Sequence, residues 1–216
     1  PGASSTELTA NLAADIVSAP ILQEVATTTG EVAETAVTPA ADSDEDCLSD
    51  PEESIFGTDP LLSDTDKDGH QDMIELKSGY NPLGEGRLDQ VFSQYENTVF
   101  GYELKYPTSW SQQALGDDDS TVIFSAPDES LIQVVAQENT DRLSIIDWYE
   151  ASFSEAEVTS DQMKNGIGWD GVMSRDGLNF YVTDKGRGRI LVSSYISADK
   201  KFSYPFILSA MLESLL

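Results

Sequence analysis

The chain has 216 residues, of which 39 are acidic and 12 are basic, so its formal net charge is −27. This charge argues against nucleic acid and anionic membrane surfaces as partners, because both require a positive face that releases counterions. The single cysteine excludes an internal disulfide framework, and no apolar stretch approaches about 18 residues, so no membrane insertion is expected in this chain. The length suits one domain of ordinary size with appendages.

Residues 1–41 form a low-complexity N-terminal segment rich in Ala, Thr, Val and Glu, without lysine, arginine or aromatic residues. A capping box of Ser4 and Glu7 precedes apolar residues at four-residue spacing, which predicts a short helix. The β-branched residues of 21–37 predict one or two strands if a partner edge receives them. This composition is typical of a disordered tether, and the alternative is a connector that binds a neighbouring subunit by β-strand addition.

Two copies of one acidic 12-residue pattern follow, 22 residues apart. Positions 1, 3, 5, 9 and 12 carry carboxylates: Asp42, Asp44, Asp46, Asp50 and Glu53 in the first loop, and Asp64, Asp66, Asp68, Asp72 and Glu75 in the second. Position 7, which offers its backbone carbonyl, is Leu48 in one loop and His70 in the other. Because Ca²⁺ takes about six to eight oxygen ligands from such positions, the pattern predicts two calcium sites.

The two loops differ at position 6, where the backbone needs a positive φ. The second loop has Gly69 there and the first has Cys47, which costs about 1 kcal/mol. We therefore expect the second site to be the more secure and the first to be weaker or distorted. Asp50 and Asp72 would bind the ion directly or through a water. The alternative interpretation of the whole stretch is an acidic, solvated linker.

The similarity continues beyond the loops. Residues 56–61, Phe-Gly-Thr-Asp-Pro-Leu, recur as residues 78–83, Ser-Gly-Tyr-Asn-Pro-Leu, which predicts a short helix, a glycine stop and an Asx-Pro turn in each copy. Over residues 42–86 the pattern resembles the thrombospondin type 3 calcium repeats in their bacterial surface-protein form. That resemblance implies bound calcium and an extracellular, cell-surface location.

From residue 87 the composition changes to aromatic residues and apolar alternation. Strands are predicted at 100–107, 121–124, 131–135, 171–174, 178–182 and 189–196, and helices at 144–153 and 205–216. The fold class is therefore α+β, with an antiparallel sheet flanked by helices. The block Phe-Gly-Tyr-Glu-Leu-Lys-Tyr-Pro-Thr-Ser-Trp at 100–110 and the stretch at 206–212 resemble the PsbP-like α/β/α sandwich. This resemblance implies a non-catalytic domain for protein contacts over residues 87–216.

Catalytic constellations are not evident in the sequence. The single histidine, His70, lies in a calcium loop, so no Ser–His–Asp or Cys–His set is credible. Residues 186–189, Gly-Arg-Gly-Arg, lack a following helix and predict a hairpin turn rather than a phosphate loop. Trp110, Trp148 and Trp169 are expected in the core, with a ligand groove as the alternative.

These patterns together predict a non-enzymatic, exported calcium-binding protein. In the leading hypothesis it is a structural subunit of an extracellular filament or layer. Calcium would rigidify the joint between the N-terminal segment and the C-terminal domain, and self-assembly or a protein partner would use that segment. The alternatives are a monomeric binding module on a tether and an accessory domain of a secreted, calcium-stabilised hydrolase. No signal sequence is expected in this chain, which starts at Pro1 without a basic and apolar leader.

Overall fold

The structure is a computed structural model that describes residues 37–88, 91–116, 118–153 and 157–215. The predicted helix and strands of residues 1–36 lie outside the described residues. The described elements are β1 (Thr38–Pro39), α1 (Asp50–Phe56), α2 (Asp72–Ser78), β2 (Phe92–Asn97), β3 (Tyr102–Pro107), β4 (Ser111–Leu115), β5 (Thr121–Ser125), β6 (Leu131–Glu138), α3 (Ile145–Ser152), β7 (Met163–Asn165), β8 (Trp169–Met173), β9 (Asn179–Asp184), β10 (Arg189–Ile196), β11 (Lys201–Phe202) and α4 (Pro205–Glu213).

The largest element is a seven-stranded sheet in the order β4-β5-β6-β10-β9-β8-β7, and all its neighbouring strands are antiparallel. The central strand β10 shows why the sheet is covered on both faces. Its Ile190 and Val192 belong to one apolar cluster, whereas the intervening Leu191 belongs to the other. Because successive side chains of a strand point to opposite faces, this alternation requires a layer on each side.

Helices supply both layers, as the sequence predicts. Helix α3 packs Ile145, Trp148 and Tyr149 against one face of the sheet, and the hydroxyl of its N-cap Ser144 accepts a hydrogen bond from the backbone N–H of Asp147. On the other face, α4 buries four apolar side chains in the larger cluster: Ile207, Leu208, Met211 and Leu212. The described chain is thus mixed α and β with a large antiparallel sheet between helices.

Strand β3 forms close to the predicted range 100–107, but it pairs with β2 in a separate hairpin rather than in the large sheet. Five short strands were not predicted: β1, β2, β4, β7 and β11. Each is polar or at most three residues long, so its alternation is too weak to distinguish it from a loop. The predicted hairpin turn at 186–189 is confirmed, since Asp184 accepts hydrogen bonds there from the backbone N–H groups of Gly186 and Gly188.

The two loop repeats pack directly on the sheet domain. Leu48, Phe56 and Leu76 belong to the same core cluster as the residues of α4. The ring of Phe56 lies 6.2 Å from that of Phe92 and 5.8 Å from that of Phe206. The repeats and the α+β domain therefore share one core. Among the described residues, no helix is long and apolar enough to cross a membrane.

Candidate metal centre

Both loops turn through the same backbone conformation. The N–H of Cys47 donates to Oδ2 of Asp42 at 3.0 Å, and the N–H of Gly69 donates to Oδ2 of Asp64 at 2.9 Å. The φ angles at this position 6 are 82° for Cys47 and 98° for Gly69, so the left-handed conformation predicted there is present in both loops. The first loop keeps the hydrogen bonds of the second despite the strained cysteine. The relative affinity of the two sites stays a prediction.

The remaining hydrogen bonds also match position by position. At position 3, Asp44 accepts from the N–H of Asp46 at 3.2 Å and Asp66 accepts from that of Asp68 at 3.0 Å. At position 5, Asp46 accepts from the N–H of Leu48 at 2.8 Å and Asp68 accepts from that of His70 at 2.9 Å. Each bond occupies one carboxylate oxygen and aims the group into its loop, so the repeat seen in the sequence is also a repeat in three dimensions.

Position 9 closes each loop. Both oxygens of Asp50 accept hydrogen bonds from Ser43, one from its N–H and one from its hydroxyl, each at 2.9 Å. Asp72 accepts the equivalent pair from Thr65, at 2.9 and 2.7 Å. These carboxylates hold the start of the loop against the first turn of the following helix. Their engagement favours contact with an ion through a water over direct binding.

Two carboxylate triads result, one from positions 1, 3 and 5 of each loop: Asp42, Asp44 and Asp46, and Asp64, Asp66 and Asp68. In each triad one oxygen per residue lies within 4.8 Å of the others. Two oxygens bound to one Ca²⁺ at about 2.4 Å can be at most about 4.8 Å apart, so this spacing suits a shared ion. In both triads, on Asp42 and Asp44 and on Asp64, a buried oxygen remains that none of the described residues partners.

The position 12 glutamates lie near the triads but are not members of them. Glu53 is fully buried and Glu75 is 7% exposed, and Oε2 of each is buried with no hydrogen-bond partner in the part of the chain that the structure describes. No described residue donates a backbone hydrogen bond to the carbonyls of Leu48 and His70 at position 7. Buried acceptors without donors are costly. The residues present therefore fit one hard cation such as Ca²⁺ in each loop. Each ion would coordinate the oxygens of its own loop.

The raised pKa values of the clustered carboxylates also favour a bound cation. Burial and, after it, the negative charges of Asp44 and Asp46 together raise the pKa of Glu53 to about 7. Burial also raises the pKa values of Asp44, Asp46 and Glu75, with neighbouring carboxylates adding to each shift. Acids that resist ionisation in a metal-free cluster are those that a divalent cation would stabilise in the charged form.

A further acidic residue, Glu52, connects the first loop to the sheet domain. Its side chain is fully buried, with 0% of its surface exposed. Its Oε1 accepts a hydrogen bond from the N–H of Ile207, in the first turn of α4, at 2.9 Å. Its Oε2 accepts from the N–H of Ser49 at 3.2 Å, which completes the capping box of α1. The hydroxyl of Ser49 in turn contacts the carbonyl of Ser203 at 2.5 Å. The role of Glu52 is not evident from the sequence.

Stability of the calcium-free protein should rise as pH falls from 8 to 5. Burial raises the pKa of Glu52 from 4.5 to about 7. A group whose folded pKa is raised contributes stability that is fully present below its unfolded pKa of 4.5 and is lost as pH rises through about 7. Urea midpoints of the demetallated protein at the two pH values measure this. In Glu52→Gln the rise should be clearly smaller, and an equal rise in that variant would exclude Glu52 as a source.

The two repeats also contact each other. Oδ2 of Asp46, a member of the first triad, accepts a hydrogen bond from the N–H of Met73 in the first turn of α2 at 3.3 Å. The charge of Asp72 acts on both Asp44 and Asp46. The first triad therefore lies against the N-terminus of the helix that follows the second loop, where backbone N–H groups favour negative charge.

No protein-family model and no curated protein matches the chain. A crystal structure from Bacteroides thetaiotaomicron VPI-5482 is similar with a TM-score of 0.38 and 14% identity over 58% of this chain and 48% of that one, so the chain spans about half of its length. The solution structure of cyanobacterial PsbP (CyanoP) from Synechocystis sp. PCC 6803 has a TM-score of 0.38 and 16% identity, over 62% of this chain and 98% of that one. Solved structures similar to the described α+β chain thus include a PsbP protein.

Proposed function

We propose that this chain is a non-enzymatic calcium-binding protein of the extracellular surface, with one Ca²⁺ in each loop. The observation that carries the proposal is the set of buried carboxylate oxygens that receive no hydrogen bond from the residues the structure describes, on Asp42, Asp44 and Glu53 in one loop and on Asp64 and Glu75 in the other. Extracellular modules of this kind bind calcium at about 10⁻⁴–10⁻³ M, which suits a calcium-replete exterior.

Calcium would act by fixing the repeats against the α+β domain. The first loop leads into α1, whose Phe56 and Glu52 contact the sheet domain and α4. The second loop leads into α2, whose Leu76 lies in the same core. Ions bound to the two triads would therefore order both helices. They would also order the surface that the repeats and the α+β domain form together.

Calorimetric titration of the demetallated protein tests the assignment. We expect about two Ca²⁺ per chain. Asp66→Ala should abolish binding at the second site and Asp44→Ala at the first, because each removes a triad oxygen that no neighbour replaces, so that each variant binds about one ion. Asp161→Ala, which removes an exposed acid that belongs to neither loop, is the control and should leave two. Two ions in all three variants would refute the loops as the sites.

We extend the proposal to self-assembly into a filament or layer, with the N-terminal segment as the connector. The composition of residues 1–36 supports this extension. These residues carry five acids and no base, together with apolar residues that a free tether does not need. Repulsion between chains of charge −27 would oppose assembly without a cation. Light scattering in millimolar calcium and again in chelator tests this, and the expected result is a large mass in calcium alone.

A further inference from the structure

An open cleft of about 650 Å³ runs between the second repeat, the β2–β3 hairpin and α4. Its apolar lining is half-buried and comes from Met73, Leu88, Phe92, Phe206 and Ala210. We call this the α4 cleft. Half-buried aromatic and aliphatic side chains gathered in one concave surface are typical of a contact site rather than of scattered surface exposure.

The charge at the rim of the α4 cleft is opposite to that of the chain as a whole. Lys77 and Lys105 line it and are exposed, and neither forms an ion pair with any residue that the structure describes. Glu213 is the acid of the lining, and the hydroxyl of Ser209 donates to it at 3.4 Å. In a chain with 12 bases and 39 acids, two unpaired lysines beside an apolar cleft favour an occupant that is apolar and acidic.

One stretch of this chain has that composition. Residues 16–34 include six branched apolar residues, Ile16, Val17, Ile21, Leu22, Val25 and Val32, and three acids, Glu24, Glu31 and Glu34, but no lysine or arginine. We propose that the α4 cleft binds residues 16–34 of a second copy of this chain. The proposal rests on the self-assembly proposed above and names the surface that receives the connector.

The direction of β1 favours a second copy over the same chain. Thr38 pairs with Lys201 and Pro39 with Phe202 in parallel, so β1 and β11 both run toward the end of the molecule where α4 begins at Pro205. Thr38 consequently lies at the end of this strand pair that faces away from Pro205, and its N–H donates to the carbonyl of Lys200 at 2.9 Å. A contact between the N-terminal segment of one copy and the cleft of the next is heterologous, and such contacts build a ring where the rotation closes and an open filament where it does not.

Charge reversal in the full-length chain tests the contact. Lys77→Glu/Lys105→Glu should weaken calcium-dependent association by about tenfold or more, since like charges then face each other across the contact. The control Arg142→Glu/Arg187→Glu makes the same change of net charge at exposed sites outside the cleft and should associate as the unmodified protein does. Light scattering across a concentration series gives the dissociation constants.

The reverse change in the partner surface completes the test. Glu24→Lys/Glu31→Lys should also weaken association, and the quadruple variant with both pairs reversed should restore it, because opposite charges then face each other again. Equal association of Lys77→Glu/Lys105→Glu and the control would overturn the docking site and leave self-assembly standing. An unmodified protein that stays monomeric while calorimetry counts two Ca²⁺ would overturn self-assembly and the docking site together, but not calcium binding.

Discussion

Removal of calcium should lower the melting temperature of the protein by about 10–20 °C. At about 10 mM Ca²⁺, a site with a dissociation constant near 10⁻⁴ M adds about 2.7 kcal/mol to the free energy of unfolding, and two sites add about 5 kcal/mol. In a chain of this length each kcal/mol shifts the melting temperature by about 2–4 °C. Calorimetric scans in calcium and in chelator measure the shift.

Removal of calcium should destabilise more than the loops themselves, because the loops share one core with the sheet domain. Leu48 is fully buried at position 7 of the first loop, and Leu76 is buried one residue after Glu75. Loss of the first loop would expose Leu48 and free α1, whose Phe56 contacts the rings of Phe92 and Phe206. Magnesium at the same concentration is the control, since it demands a smaller octahedral shell. One melting temperature in calcium, magnesium and chelator would contradict the proposed sites.

Replacing Glu52 with alanine should destabilise the protein by about 2–4 kcal/mol, although no ligand of either loop is changed. The substitution leaves the buried N–H groups of Ile207 and Ser49 without an acceptor, at about 1–3 kcal/mol each, and removes the capping box of α1. Part of this loss is offset because the buried carboxylate, whose pKa is raised to about 7, is itself costly to ionise. Urea unfolding at pH 7 in calcium gives the value.

Two further variants separate the buried contact from loss of charge. Glu150→Ala removes an exposed glutamate from helix α3 and should change the free energy of unfolding by less than about 0.5 kcal/mol. Glu52→Gln keeps one acceptor oxygen for Ile207 and should lose less than half as much as the alanine variant. If Glu52→Ala proved as stable as Glu150→Ala, the hydrogen bond to α4 would not hold the repeats to the domain.

The regular part of the fold could be predicted from local sequence. Strands β5, β6, β9 and β10 are rich in β-branched and aromatic residues, and helix α3 begins at its predicted cap, Ser144. The weak elements were missed because their sequences carry little of this pattern. Strand β4, for example, is Ser-Gln-Gln-Ala-Leu, lies at the edge of the sheet and is almost wholly exposed. It is a strand because its backbone pairs with β5, and not because its side chains are buried.

One part of the candidate site could likewise be predicted from local sequence, and another part could not. Repetition alone placed Asp42 and Asp64 in equivalent positions, because a 12-residue loop closes through hydrogen bonds between near neighbours and needs no distant partner. The role of Glu52 could not be found locally. In the sequence it is one acid among many, and its partner Ile207 lies 155 residues away.

The sequence by itself thus determined the two acidic loops, their turns and the main strands, since all of these depend on spacing within about a dozen residues. Only the tertiary structure decided that the repeats share a core with the sheet domain, that Glu52 is buried against α4, and that a cleft lined by two lysines opens between the second repeat and α4. The physical reason is that burial and charge pairing across more than a hundred residues depend on how the layers pack, which no local pattern encodes.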